Sequence, residues 1–237
     1  MRQKQFGILT QNQLKVIAAV CMLIDHVGAE LLPQFVGLRI IGRLAFPIFS
    51  FFIYEGCKYT HDKRRYLFNI LFVGLLCVAG YYVFSRVIFW NVLITFSLSI
   101  CVLTGVQHCK HQIQNRKKGQ TRSVVLLFLC VVGVYIVCRY VQVDYGFCGV
   151  MLPVFAEIFD TGAEHGKAMP LLGFGFGLAM LSVQIGDIQY FSLFSLVLLA
   201  AYNGNRGKKH MKSFFLLVLP SAFRRNRRDR DTRSVKK

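Results

Sequence analysis

Apolar residues run in long blocks along this chain. They show neither the alternation of a half-buried strand nor the single stripe of a helix lying on a soluble core. Eight blocks, 14–32, 36–54, 67–86, 91–107, 123–141, 146–159, 168–183 and 188–202, predict eight helices. Most are long enough for a hydrocarbon layer about 30 Å thick; the block at 146–159 is short for that purpose. Basic residues fall between the blocks in a regular rhythm. Lys58, Lys63, Arg64 and Arg65 follow the second block, Lys110, Arg116, Lys117, Lys118 and Arg122 the fourth, and Arg206, Lys208, Lys209 and Lys212 the eighth. The connections at 33–35, 87–90, 142–145 and 184–187 carry only Asp144 and Asp187. Positive charge that alternates with helix count places the N-terminus in the cytoplasm.

Composition agrees with this pattern. The 237 residues are 54% hydrophobic and 17% charged, whereas a soluble domain is nearer a quarter charged. The expected fold is an all-α, polytopic transmembrane bundle of about eight spans, with lipid as its constant neighbour. The net charge of +18 lies in the connections and the tail, as in loops held at a cytoplasmic face, and so argues against a nucleic-acid partner. Of eight cysteines, Cys21, Cys77, Cys101, Cys130 and Cys138 lie within apolar blocks, where a thiol acts as a small hydrophobe. No CxxC pair exists, and His108, Cys109 and His111 are too few and too close for a metal site, so no metal is expected. The N-terminus has no signal-peptide pattern, and the first helix is expected to be retained.

Against that background the stretch CMLIDHVGAELLP, residues 21–33, is anomalous. Ionisable groups in hydrocarbon cost about 3 kcal/mol each or more and usually face a partner or a cavity. With the first helix running outward, Asp25 and His26 lie in its outer half. Arg39 and Arg43 lie in the outer half of the second, four residues apart and on one face. Asn91, Asp144 and Tyr145 fall at the same side. Such a cluster holds the parts of a general-base site, in which Asp25 either orients the imidazole or pairs with an arginine. Arg39 and Arg43 suit a carboxylate, a phosphate or a developing oxyanion. The alternative is an ion-paired network that only locks the first two helices together. Lys15 stands about three turns before His26 on nearly the same face, at the cytoplasmic end. Glu55, at the inner end of the second block, reads either as a coenzyme contact or as an interfacial carboxylate beside Lys58. Gly173 and Gly177 in GFGFG have the spacing of close helix packing, and no lysine follows them as a nucleotide loop would require.

The segments LKVIAAVCMLIDHVGA, LRIIGRLAFPIFSFFIYEGCKYT, NVLITF and DYGFCGVMLPV resemble, in that order, the signature segments of the TraX family, named for a conjugation-system membrane protein that acetylates the N-terminus of pilin. The likeness runs from residue 10 to about 205. The Lys15–His26 spacing is similar to that of broader transmembrane acyltransferases. The resemblance implies an acyltransferase using acetyl-CoA or another acyl-CoA. The acceptor would be an amine or hydroxyl of a pilin N-terminus, another peptide or amino acid, or a surface glycan. It implies His26 as catalytic base, Asp25 as its orienting partner, and Lys15, Arg39, Arg43, Glu55, Asn91, Asp144 and Tyr145 as substrate-binding residues. Fold and family do not fix the substrate. The alternative is a transporter, or a non-catalytic assembly factor of a conjugation or secretion apparatus, that binds an anion with the same residues.

On this reading residues 1–212 form the transmembrane domain and 213–237 a short apolar run followed by a basic tail. Related proteins end in a further helix with an element similar to YWFYPLH. Its codons, shifted by one base, can encode LLVLPSAF, which matches Leu216 to Phe223. A frameshift near Leu216 that removes the final helix is one expectation. A genuine polybasic tail on anionic lipid is the other.

Overall fold

The computed structural model describes residues 7–88, 90–115, 119–162, 168–205 and 207. The expectations for residues 213–237 lie outside them. Regular structure among the described residues is helical, apart from one isolated bridge between Leu9 and Tyr202. Thr10 opens α1 (Gln11–Glu30) with a capping box: its hydroxyl accepts from the Gln13 backbone N–H, and Gln13 Oε1 accepts from the Thr10 backbone N–H.

The predicted second span is two helices, α2 (Val36–Gly42) and α3 (Ala45–Tyr59), joined by a tightened turn at Arg43–Leu44. Pro47 explains the turn. It has no N–H for the Arg43 carbonyl, and its ring crowds that oxygen. The N–H groups of Arg43 and Leu44 bond the carbonyls of Ile40 and Ile41, each at 3.2 Å, as in a 3-10 turn. The chain continues through α4 (Lys63–Ser85), α5 (Val92–Gln114), α6 (Gln120–Val141), α7 (Gly146–Phe159) and α8 (Ala168–Ile185). The predicted last span also differs. It is a 3-10 helix (Asp187–Phe194) followed by the short α9 (Ser195–Ala200).

Five stretches are long and apolar enough to cross a membrane: Val36–Tyr59, Lys63–Val83, Val92–Gln114, Gln120–Val141 and Ala168–Ile185. α7 and the 3-10/α9 segment are shorter apolar helices. α3, α5 and α7 pack on one another at the centre; α1 lies on α2 and α3, and α8 on α7. Their shared core includes Leu14, Ile48, Ile100, Val150, Leu152 and Phe174. α4 and α6 rest on α5 and leave Phe68, Leu76, Leu126 and Phe128 more than half exposed. An apolar wall of that extent suits lipid chains. Pro153 interrupts the bonding of α7 by withholding an N–H from the Gly149 carbonyl, and Ser99 on α5 donates to the neighbouring Val150 carbonyl at 2.9 Å.

Candidate functional site

After the hairpin at 31–35, α2 returns along α1 at very close range. A Cβ on Gly42 would lie 2.3 Å from both Cβ and Oδ1 of Asp25, and one on Gly28 would lie 2.8 Å from Leu38 Cβ. The absent side chains let the Arg39 guanidinium reach Asp25. Its Nη1 donates to Oδ2 at 2.9 Å and, less closely, to the Asp25 carbonyl at 3.4 Å. Asp25 Oδ1 and Arg43 Nε are buried and have no hydrogen-bond partner. Asp25 is therefore paired with Arg39 and does not hold the His26 ring. The divergence of about 100° between neighbours on a helix accounts for this.

The third contributor is the connection between α6 and α7. Thr95 on α5 donates its hydroxyl to the Asp144 carbonyl at 2.8 Å. Tyr145 has φ 61° and Gly146 φ 54°, so the chain reverses through two left-handed residues. A non-glycine residue there is strained, and such strain gathers at functional sites. The Tyr145 ring stacks on Phe46 with centroids 3.8 Å apart, and Arg43 lies beside its phenol. Burial raises the Asp144 carboxyl above its ordinary range, although the charges of His26 and Arg43 pull against it. Those two groups are thus within electrostatic reach of Asp144. Asp25, His26, Arg39, Arg43, Asp144 and Tyr145 come together from three separate stretches at the predicted outer level. The imidazole itself is exposed.

Asn91 stands apart from this group. Its oxygen caps α5 by accepting from Leu93 and Ile94, and its nitrogen donates to the Gly74 carbonyl at 3.0 Å, tying α5 to α4. Lys15 and Glu55 form a second group toward the opposite end. The Lys15 ammonium sits 5.4 Å from the Phe52 ring centre. Glu55 is buried and accepts from Tyr202 at 2.9 Å. Tyr202 is held there by backbone bonds that fasten residues 9–11 to 201–205.

A third constellation was not anticipated from the sequence. At the ends of α3, α4, α5 and α7, Asp160 accepts from Tyr54 at 2.5 Å and pairs with Lys58. Glu157 accepts from Gln107 at 2.7 Å, and Lys63 bonds Gln107. Lys110 lies 3.8 Å from Glu157 and donates to the Asp160 carbonyl at 3.1 Å. Burial would raise Asp160, but hydrogen bonds from Lys58 and Tyr54 outweigh it and hold the carboxyl below its usual range. The signal was the spacing of Glu157 and Asp160 at the end of a short span, opposite the lysines of two basic connections. Among the described residues no cluster of histidine, cysteine and acidic groups is arranged to hold a metal, and all eight cysteines are free.

The fold and the ion-paired cluster between its first helices define a helical membrane bundle with a polar site at one level of the spans. The chain belongs to the TraX family: the family described as TraX protein matches residues 10–223. It is 29% identical over 163 residues to an uncharacterised protein of Rickettsia prowazekii, covering 66% of this chain and 57% of that protein. It is 36% identical over 73 residues to a probable fimbrial assembly protein, FimC, of Dichelobacter nodosus serogroup H1, covering 29% of this chain and 30% of that protein. The chain thus spans little more than half of one of these relatives and less than a third of the other. No solved structure matches it.

Proposed function

We propose that this protein is a membrane-embedded acyltransferase of the bacterial cytoplasmic membrane. It moves an acetyl or other acyl group from cytoplasmic acyl-CoA to an amine or hydroxyl acceptor. His26 is the general base: it takes the acceptor's proton as the acceptor attacks the thioester carbonyl. The new C–N or C–O bond forms, the C–S bond breaks, and the proton leaves with the coenzyme A thiolate. Arg43, whose Nε has no hydrogen-bond partner, is the group available to the developing oxyanion. Asp144 is within electrostatic reach of the imidazole, whereas Asp25 is ion-paired with Arg39. Lys15, Glu55 and Tyr202, at the other end of the bundle, are assigned to the donor.

The observation that carries this reading is the histidine itself. It lies in a largely apolar helix at one level with Arg43, Asp144 and Tyr145, where ionisable groups are costly unless used. The name of the Dichelobacter nodosus relative, a probable fimbrial assembly protein, favours a pilin-type peptide acceptor over an amino acid or a glycan. The Asp25–Arg39 pair favours a second reading, a non-catalytic assembly factor in which the cluster only locks α1 to α2.

Thiol release from acyl-CoA by the protein in lipid nanodiscs separates the two. The enzyme releases free coenzyme A when a peptide amine is supplied, and His26→Ala lowers that rate by about 10²–10⁴ without loss of folded protein. A His26→Ala rate within about threefold of the original, far below a general base's contribution, overturns the role of His26. No release with any acceptor favours the assembly factor.

A further inference from the structure

α1 stands at the edge of the bundle. It packs on α2 and α3, and its opposite side is bare: Val20 is 41% exposed, Leu23 39%, and His26 and Glu30 are exposed as well. At 100° per residue these four fall within an arc of about 120°. Asp25 and Gly28, which meet α2, lie outside that arc. His26 therefore stands where two surfaces join. Toward the bundle it is within electrostatic reach of Asp144; outward it is open to the surroundings of the protein. Beyond Glu30 the hairpin adds Phe35 and Val36, both more than half exposed.

The bare side changes character along the helix. Val20 and Leu23 are apolar and lie toward the middle of the predicted span, where lipid chains are the neighbours. Glu30 comes one turn after His26, about 6 Å further along the axis, at the predicted outer end. A carboxylate at the margin of an apolar layer usually has a partner. The Glu30 carboxylate has no hydrogen bond or ion pair among the described residues. Arg39, on the neighbouring helix, is already paired with Asp25. Glu30 is thus open to a cation from outside the chain.

We propose that this side of α1 is the docking surface for the acceptor, which arrives sideways through the lipid as an apolar transmembrane peptide segment ending in a free amine. Its apolar body lies along Val20 and Leu23, Glu30 holds its ammonium group, and the nitrogen comes to His26 one turn below. This inference rests on the acyltransferase reading and adds to it a route and a recognition residue. Charge selects the occupant. An aminolipid would bring its phosphate, beside the amine, up against the Glu30 carboxylate, with Arg39 already taken. A glycan would leave Val20 and Leu23 unused. Glu30 acts at docking alone: the ammonium gives one proton to solvent, and His26 takes the second as the amine attacks.

The test uses the full chain in nanodiscs of phosphatidylethanolamine and phosphatidylglycerol. One acceptor is a peptide with a free N-terminal amine and about 20 apolar residues, enough to span; the other is its first few residues alone. The spanning peptide should have a KM about tenfold lower, the worth of covering one large apolar side chain. Glu30→Gln should raise that KM about tenfold, the lower worth of a hydrogen bond to a charged group. The kcat, the KM for acyl-CoA and the melting temperature should not move. A photoreactive group in the apolar part of the peptide should crosslink to α1. Equal KM values for the two peptides, or no KM change in Glu30→Gln, overturn the docking surface and leave the acyltransferase intact. Acylation of phosphatidylethanolamine in place of the peptide overturns it too, as do crosslinks from a photoreactive residue at Leu23 to residues 214–223 or to a second copy. A native protein that consumes no thioester, yet crosslinks the peptide at α1, supports the docking surface and overturns the function instead.

Discussion

Gly42→Ala tests how the site is held together. The added Cβ would stand 2.3 Å from Asp25 Cβ and Oδ1, whereas carbon atoms in contact sit about 3.5–4.0 Å apart. α1 and α2 must therefore separate by more than about 1 Å, or the Asp25 side chain must leave its rotamer. Either movement carries the 2.9 Å Arg39–Asp25 contact beyond hydrogen-bond range. A hydrogen bond to a charged group is worth about 1.5–3 kcal/mol. This pair, roughly a quarter exposed on each side, belongs nearer the lower figure because solvent screens it. Overpacking adds about 1–3 kcal/mol, and the better helix propensity of alanine returns at most about 1. The net loss is about 2–4 kcal/mol. Equilibrium unfolding in detergent micelles measures it, and Arg39→Ala in the Gly42→Ala background should cost much less than it does alone. A variant as stable as the native protein, or fully additive losses, would refute the account of glycine as the spacer of this ion pair.

Other consequences are open to direct measurement. Asp144 has a raised folded-state pKa, so its contribution to stability is fully present below the ordinary aspartate value and declines as pH rises through the raised one. Asp144→Asn should flatten stability against pH over that window, and an unchanged slope would dismiss the linkage. Asn91→Ala removes the cap of α5 and should cost about 1 kcal/mol in stability with little effect on KM; a large KM effect would return Asn91 to the binding site. In a cysteine-free background, an impermeant maleimide should label Gln34→Cys on intact cells and Gln120→Cys only after the membrane is opened. The reverse pattern would invert the topology.

Much of this architecture was legible because the forces behind it are written in local pattern. Long apolar blocks mark most of the helices. The second block is two helices, however, the last is a 3-10 helix followed by α9, and five stretches among the described residues, rather than eight, are long and apolar enough to span. The directions expected from the alternating basic connections bring Asp25, Arg39, Arg43 and Asp144 to one level. The kink at Arg43 was also written in the chain, in Pro47, but the length of the surrounding block hid it. Other features depend on three-dimensional partners. Asp25 has His26 as its chain neighbour and Arg39 as its spatial one: helix geometry turns it away from the first, and the close approach at Gly42 brings it the second. Asn91 is polar at the expected depth, yet its position at a helix start made capping its first use. The 3-10 geometry of 187–194 is least visible of all, since DIQYFSLF reads as one more apolar turn.

Pairing within the outer cluster bears on how a base works there. Arg39 and Asp25 neutralise each other, leaving His26, Arg43 and Asp144 as the groups whose charges remain to act on a bound substrate. With Asp144 ionised and the imidazole neutral, those three sum to zero. With Asp144 protonated, a state favoured by its burial, Arg43 leaves a net positive charge beside the histidine. That charge favours the negative charge that an attacked thioester carbonyl develops. Once His26 has taken the acceptor's proton, ionisation of Asp144 would offset the new imidazolium. On the acyltransferase reading, the helix lock and the reactive groups are then distinct residues within one cluster. Asp25→Asn should weaken the bundle more than it slows turnover, and Asp144→Asn should slow turnover more than it weakens the bundle. If the two variants rank the other way in paired unfolding and thiol-release measurements, Asp25 is part of the chemistry and this division of labour is wrong.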